Sequence, residues 1–169
     1  MNAAVFFDRD GVLNAEVGYL WTVDKFVWID GARDAIKLCN ERGLLTVVVT
    51  NQGGIARGLY TAREVDALHV FMQESLSEVG AHIDAFYFCP HHPEGVVAEF
   101  AVTCECRKPK PGLILQACRE LDIDPTRSIL FGDSDRDIAA ARAAGLRDGI
   151  FFTGGNLRDA VKTNLEKLS

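Results

Sequence analysis

The chain has 169 residues, enough for one domain with a sizeable buried core. Apolar residues make up 48% and charged residues 25%, the balance of a soluble globular protein, and the net charge of −6 argues against a partner built of nucleic-acid phosphates, which needs a basic face. No apolar stretch is long enough to cross a membrane, and residues 1–7 lack the basic region of a signal peptide, so the expected location is the cytoplasm.

Residues 3–7 are a short apolar run, long enough for a buried strand and too short for a helix. Asp8-Arg9-Asp10-Gly11-Val12-Leu13-Asn14 follows directly. Two carboxylates two residues apart can hold a divalent cation and still leave one oxygen free to attack, and Gly11 lets the chain turn away. Residues 11–30 form a long connection able to make a small flap, in which Asn14, Tyr19 and Trp21 are candidates for a ligand site. Ala32, Ala35, Ile36 and Cys39 then recur at helical spacing, with a stop at Gly43.

Residues 44–49 read as a second strand, ending on Thr50-Asn51-Gln52-Gly53-Gly54. A hydroxyl beside backbone N–H groups freed by glycines suits phosphoryl oxygens. Thr61 and Glu64 have the spacing of a capping box and open a helix with Val65, Leu68, Met72, Leu76 and Val79 on one face. His69 and His82 read as an ordinary helix residue and a helix-end residue. Residues 83–88 are the third strand, and 89–110 the second long connection. Its Cys89, His91, His92, Cys104 and Cys106 supply three thiols and two imidazoles, of which three thiols and one imidazole fit a closed tetrahedral zinc site. The five cysteines cannot all pair internally, and Cys39 and Cys118 read as small core residues.

Arg107-Lys108-Pro109-Lys110-Pro111 places cations before a helix N-terminus, with Pro111 as the first helical residue and Ile114, Ala117, Cys118 and Leu121 on the apolar face. Residues 128–131 are the fourth strand, leaving through Gly132-Asp133-Ser134-Asp135-Arg136-Asp137. Those acids can complete a magnesium site, cap the helix over 134–144, or do both. A fifth strand over 149–152 and a last helix over 157–168 complete the pattern. Near-continuous apolar strands alternating with helices predict an α/β fold: a doubly wound, Rossmann-like parallel sheet with helices on both faces. The expected organisation is a single domain over 1–169, with a flap insert at about 11–30, a zinc loop at about 89–106 and no large cap domain.

All four motifs fall at the carboxyl ends of predicted strands, where such sheets bind ligands. Together they resemble the motif set of the haloacid dehalogenase-like hydrolase superfamily over nearly the whole chain. The resemblance implies that Asp8 is the nucleophile of an aspartyl-phosphate pathway and that Asp10 is the general acid, then base. It implies that Thr50 holds the phosphoryl group and that Lys108 neutralises it and positions Asp8. Magnesium would take the Asp8 carboxylate, the Asp10 backbone carbonyl and the Asp133 carboxylate, with Asp137 supporting through Lys108.

Thr50-Asn51-Gln52-Gly53-Gly54-Ile55-Ala56-Arg57-Gly58 and Cys104-Glu105-Cys106-Arg107-Lys108-Pro109 are similar to the heptose-bisphosphate phosphatase branch, related to the histidinol-phosphate phosphatases. That branch implies a small phosphorylated sugar as partner, losing its 7-phosphate. It also implies zinc on Cys89, His91, Cys104 and Cys106, with His92 outside and the zinc structural, because four protein ligands leave no open position. A bisphosphate needs cations for the phosphate that stays, for which Arg107 is the first candidate and Arg57 the second. Asn51 and Asn14 complete the expected substrate contacts. Val12 and Gly53 stand where relatives often carry Thr and Ser. Two other readings stay open: a histidinol-phosphate or other small phosphomonoester phosphatase, and a non-catalytic zinc-loop binding module. A monomer is the expected state.

Overall fold

The computed structural model describes residues 1–168. Five strands, β1 (Ala4–Phe7), β2 (Leu45–Asn51), β3 (Ala85–Cys89), β4 (Ile129–Gly132) and β5 (Asp148–Phe151), lie in the order β3-β2-β1-β4-β5. Every neighbouring pair is parallel. The connections carry helices α1 (Ala32–Glu41), α2 (Ala62–Ser77), α3 (Gly112–Glu120) and α4 (Asp135–Ala143), and α5 (Leu157–Leu168) ends the chain.

Side chains alternate across a strand, and the core follows that alternation. Val5 and Phe7 of β1 face a cluster with Ala35 and Ile36 of α1, Met72 and Leu76 of α2, and Val161 of α5. Ala4 and Phe6 face the other way, onto Leu113, Ile114 and Ala117 of α3 and Ala140 of α4. All four β1 residues are therefore buried, and the run reads as continuously apolar because both faces are covered. The sheet grows from β1 toward β3 on one side and through β4 to β5 on the other. The direction reverses beside β1, the place where a doubly wound sheet opens a crevice.

Four details differ from the sequence reading. The third strand starts later, at Ala85, because Ile83 lies in the turn before it, held at both backbone groups by the Gln73 amide (2.9 Å and 2.5 Å). Pairing then runs on through Thr50↔Phe88 and Asn51↔Cys89, so Thr50 and Asn51 belong to β2. Pro111 stands just outside α3: the Gly112 N–H bonds to the Glu105 carbonyl at 2.9 Å, tying the helix start to the preceding loop. Cys39 is buried, whereas Cys118 is only half-buried at the edge of the core.

Residues 11–30 fold back on themselves. Asn14 bridges to both Asp10 and Trp28, Ala15 N bonds to Val27 O at 2.9 Å, and Ile29 N to Leu13 O at 2.8 Å. Phe26 meets Trp28 and Phe71 edge to face, and Trp28 Nε1 donates to Ser75 Oγ at 2.8 Å.

Candidate active site

The exits of β1, β2 and β4 bring Asp8, Thr50 and Asp133 to one edge, and the chain before α3 adds Lys108. Lys108 is 3% exposed, and its ammonium has three acceptors: Asp8 Oδ1 at 2.9 Å, Asp137 Oδ1 at 2.6 Å and the Val49 carbonyl at 2.9 Å. An ammonium has three protons, so this one is fully engaged. As folded it acts on Asp8 by direct contact, and it can reach a phosphoryl oxygen only by giving up an acceptor.

Asp137 is buried in the first turn of α4. Its Oδ2 accepts from the Asp133 N–H (3.1 Å), the Ser134 N–H (3.2 Å) and Ser134 Oγ (3.1 Å), while Oδ1 serves Lys108. Helix capping and site building are thus done by one carboxylate. Gly11 has φ +87°, and a Cβ there would run into the Asp133 carboxylate, so the position admits only glycine on both counts.

Burial pushes the Asp8 carboxyl up to about 7; Asp137 and Asp10 add to the rise, and Lys108 opposes it. Burial also raises Asp133. Asp8, Asp133 and Asp137 each offer an oxygen within 4.8 Å of the others, three acids against one ammonium. That hard-oxygen set with surplus negative charge fits a magnesium ion.

The Asp10 carboxylate accepts from Arg9 Nη2 (3.2 and 3.3 Å), Asn14 Nδ2 (2.9 Å) and Gln52 Nε2 (3.2 Å). Gln52 also donates to Thr50 Oγ1 at 2.8 Å and accepts from Tyr60 Oη at 2.6 Å. Asp8, Asp10, Glu16, Tyr19, Asn51, Gln52, Lys108, Asp133 and Arg136 are among the residues lining an open cleft of about 200 Å³.

Two expected substrate contacts are engaged with other parts of the chain. Asn14 is fully buried and turned onto Asp10, because the flap closes over it. Asn51 lines the cleft but clasps the Lys108 backbone, donating to its carbonyl at 3.1 Å and accepting from its N–H at 2.9 Å. Trp21 is not among the lining residues, whereas Tyr19 is.

Arg107 lies at the rim, donating to the His91 carbonyl at 3.3 Å, with Nη1 close above Gly53. Arg57 is bound to His92 Nε2 at 3.3 Å and stands 3.7 Å from Glu94. Loss of water contact and the guanidinium groups of Arg107, Arg57 and Arg136 hold His92 below its usual range. The rim is therefore cationic above an acidic floor. Arg136, in the first turn of α4, is the guanidinium that faces the cleft itself.

Sequence reasoning did not assign Arg9, Gln52, Tyr60 or Arg136, and it read His69 as ordinary. His69 is buried on α2, 3.3 Å from Arg9. A titratable side chain on the apolar face of α2 was the available signal. Arg136 sat in plain view within the acidic run at the β4 exit.

Cys89, His91, Cys104 and Cys106 converge beside this edge, with ligand atoms within 4.8 Å of one another. Sulfur–sulfur distances are 2.9, 3.5 and 3.5 Å, and His91 Nδ1 lies 3.5 and 3.3 Å from Cys89 and Cys106. A tetrahedral zinc with four such ligands has edges of about 3.8 Å between sulfurs, so the set fits that ion after a small expansion. His92 points away, toward Arg57 and the Glu94 N–H.

A family model described as haloacid dehalogenase-like hydrolase matches residues 7–145. The D-glycero-beta-D-manno-heptose-1,7-bisphosphate 7-phosphatase of Yersinia pestis is 50% identical over 152 residues, 90% of this chain and 81% of that protein. A solved HAD-like phosphatase from Mesorhizobium loti superposes with a TM-score of 0.88 at 33% identity, covering 99% of this chain and 84% of the other. A D,D-heptose 1,7-bisphosphate phosphatase from B. bronchiseptica, complexed with magnesium and phosphate, superposes with a TM-score of 0.82 at 29% identity, covering 99% of each chain. With a family model over most of the chain and relatives over nearly all of it, this chain belongs to the haloacid dehalogenase-like hydrolases.

Proposed function

We propose that the chain is a phosphatase that removes the 7-phosphate of a D-glycero-D-manno-heptose 1,7-bisphosphate through an aspartyl-phosphate on Asp8. The observation that carries the reading is the convergence of Asp8, Asp10, Thr50, Lys108 and Asp133 at one sheet edge, in a chain half identical to a protein of that activity.

Asp8 attacks phosphorus, and the ester bond to the sugar breaks. Asp10 gives its proton to the departing oxygen and later takes one from the water that hydrolyses the acyl phosphate. Thr50, braced by Gln52, presents its hydroxyl to the phosphoryl group. Lys108 opposes the rise that burial imposes on Asp8, favouring the ionised nucleophile, and is itself held by Asp137. Asp8, Asp133 and the Asp10 carbonyl would hold magnesium, which neutralises phosphoryl charge when bound. Arg107, Arg57 and, beyond the sequence reading, Arg136 give the rim the cations that a second phosphate needs.

Cys89, His91, Cys104 and Cys106 would hold a structural zinc that orders the backbone leading to Arg107 and Lys108. A doubly phosphorylated sugar does not cross a membrane unaided, so the same reading places the enzyme in the cytoplasm. Among the described residues no helix is long and apolar enough to span a membrane.

The test is phosphate release from both anomers of the heptose bisphosphate and from histidinol phosphate, in magnesium, with Asp8→Asn alongside. Preferred release from a heptose bisphosphate, abolished by Asp8→Asn, is the expected result. Preference for histidinol phosphate would overturn the substrate, and turnover surviving in Asp8→Asn would overturn the mechanism.

A further inference from the structure

Arg9 is the largest side chain among those with essentially no exposed surface, and the mechanism above does not use it. Its guanidinium sits where three segments meet. Nη2 lies 3.2 and 3.3 Å from the two Asp10 oxygens and donates to the Leu20 carbonyl of the flap at 3.2 Å. Nη1 lies 3.3 Å from Nε2 of His69 on α2.

A guanidinium only donates, so His69 Nε2 is the acceptor and the ring is neutral, with its proton on Nδ1. Phe86 stacks on that ring at 4.2 Å, and Phe88 approaches it edge-on at 6.2 Å. The ring is fixed in orientation, and the guanidinium with it.

Stability alone does not account for this arrangement. A buried guanidinium facing one partly exposed carboxylate and a neutral ring carries a desolvation cost that an apolar side chain of similar volume would avoid. Arg9 Nε finds no acceptor among the described residues. What the arrangement does supply is an orienting contact: Nη2 lies against both Asp10 oxygens and, with the Asn14 and Gln52 amides, restrains rotation of the carboxylate.

We propose that Arg9 is a positioning residue for Asp10: anchored by His69 and the Leu20 carbonyl, it holds the Asp10 carboxylate in the orientation from which it protonates the leaving oxygen. This rests on reading Asp10 as the general acid. In that step the Asp8–phosphorus bond forms, the phosphorus–ester bond breaks and the proton passes from Asp10 to the sugar oxygen. Arg9 keeps all of its protons.

The experiment compares kcat/KM for the heptose bisphosphate, whose alkoxide leaving group needs a proton, with that for p-nitrophenyl phosphate, whose leaving group does not. Arg9→Gln is expected to lose on the order of 10²-fold on the sugar phosphate and at least about tenfold less on the aryl phosphate. His69→Leu, which removes the anchor, should show the same imbalance at smaller size. His69→Gln, whose amide oxygen can accept from the guanidinium, should restore the balance.

Equal losses on both substrates would overturn the proposal, as would a His69→Gln protein no better than His69→Leu. If Arg9→Gln does not fold, the two His69 variants decide. Asp10→Asn is run beside them. Imbalance in Asp10→Asn without imbalance in the Arg9 or His69 variants overturns the role of Arg9 alone. No imbalance in Asp10→Asn overturns the acid assignment beneath it.

Discussion

The two long connections are ordered in opposite ways. The flap, residues 11–30, is held from within. Val12, Leu13 and Leu20 are buried, an aromatic edge contact joins Phe26, Trp28 and Phe71, and backbone bonds tie its two legs together. Residues 89–106 have less of this: Phe100 packs on a small cluster of Ile55, Tyr60 and Val65 and two backbone bonds reach Ala56, but Val96 is 79% and Val102 41% exposed, and three cysteines and a histidine converge. One loop is a small extension of the hydrophobic core, and the other is organised around ligand atoms. The first should fail when packing is lost, the second when coordination is lost.

The largest expected effect breaks the second loop alone. If the four ligands hold zinc as proposed, chelation or Cys104→Ser removes a binding energy that in small zinc sites is of order 10 kcal/mol. Hydrogen exchange should show protection lost across residues 91–107 and retained across 11–30. Turnover should fall by up to about 10²-fold, the scale of an ångström of misplacement at Arg107. A zinc-free protein with unchanged kinetics would remove the structural role assigned to the metal.

The next effect breaks the first loop alone. Trp28→Ala deletes a half-buried indole and its bond to Ser75, at a cost of about 3 kcal/mol. Urea midpoints should drop while the metal content of the purified protein stays at the wild-type level. A loss of metal in this variant would mean that the two loops are one cooperative unit.

The smallest effect sharpens the comparison through pH. Burial, then the Arg9 charge, push His69 down to about 3 from an ordinary 6.5. The folded pKa lies below the unfolded one, so this stability is complete above about pH 6.5 and is lost as pH falls toward 3. Between pH 6.5 and 5 the loss is about 2 kcal/mol, at 1.4 kcal/mol per pH unit. His69→Gln lacks this term and should show a flatter dependence of the urea midpoint on pH. Identical slopes for the two proteins would mean that the ring is not held neutral.

What could be read from the sequence was what depends on local pattern. β1 and β4 were legible because strands buried on both faces are apolar throughout, and Asp8 and Asp133 because they follow those runs directly. α2 was legible from Thr61 and Glu64, whose capping box is present. What depends on side-chain direction was not legible. Asn14 and Asn51 have the chemistry of substrate contacts, yet one turns to Asp10 and the other to the Lys108 backbone. Ile83 reads as strand by composition and is claimed by the Gln73 amide instead. Arg9 carried no assignment in the sequence, and only the packing of α2 against β3 gives its guanidinium a place.

The Asn51 clasp on Lys108 has a consequence for chain continuity. The exposed tip around Val96 lies between two ligand pairs, Cys89 with His91 and Cys104 with Cys106. A protease cut at that tip would leave one pair on each fragment, to be bridged by a metal held on all four. The Asn51 side chain would meanwhile grip Lys108 across the cut at 3.1 and 2.9 Å. The covalent chain between β3 and α3 is thus redundant at that exposed tip. A nicked, metal-loaded protein would stay in one piece on a sizing column, while gel electrophoresis in detergent would show two.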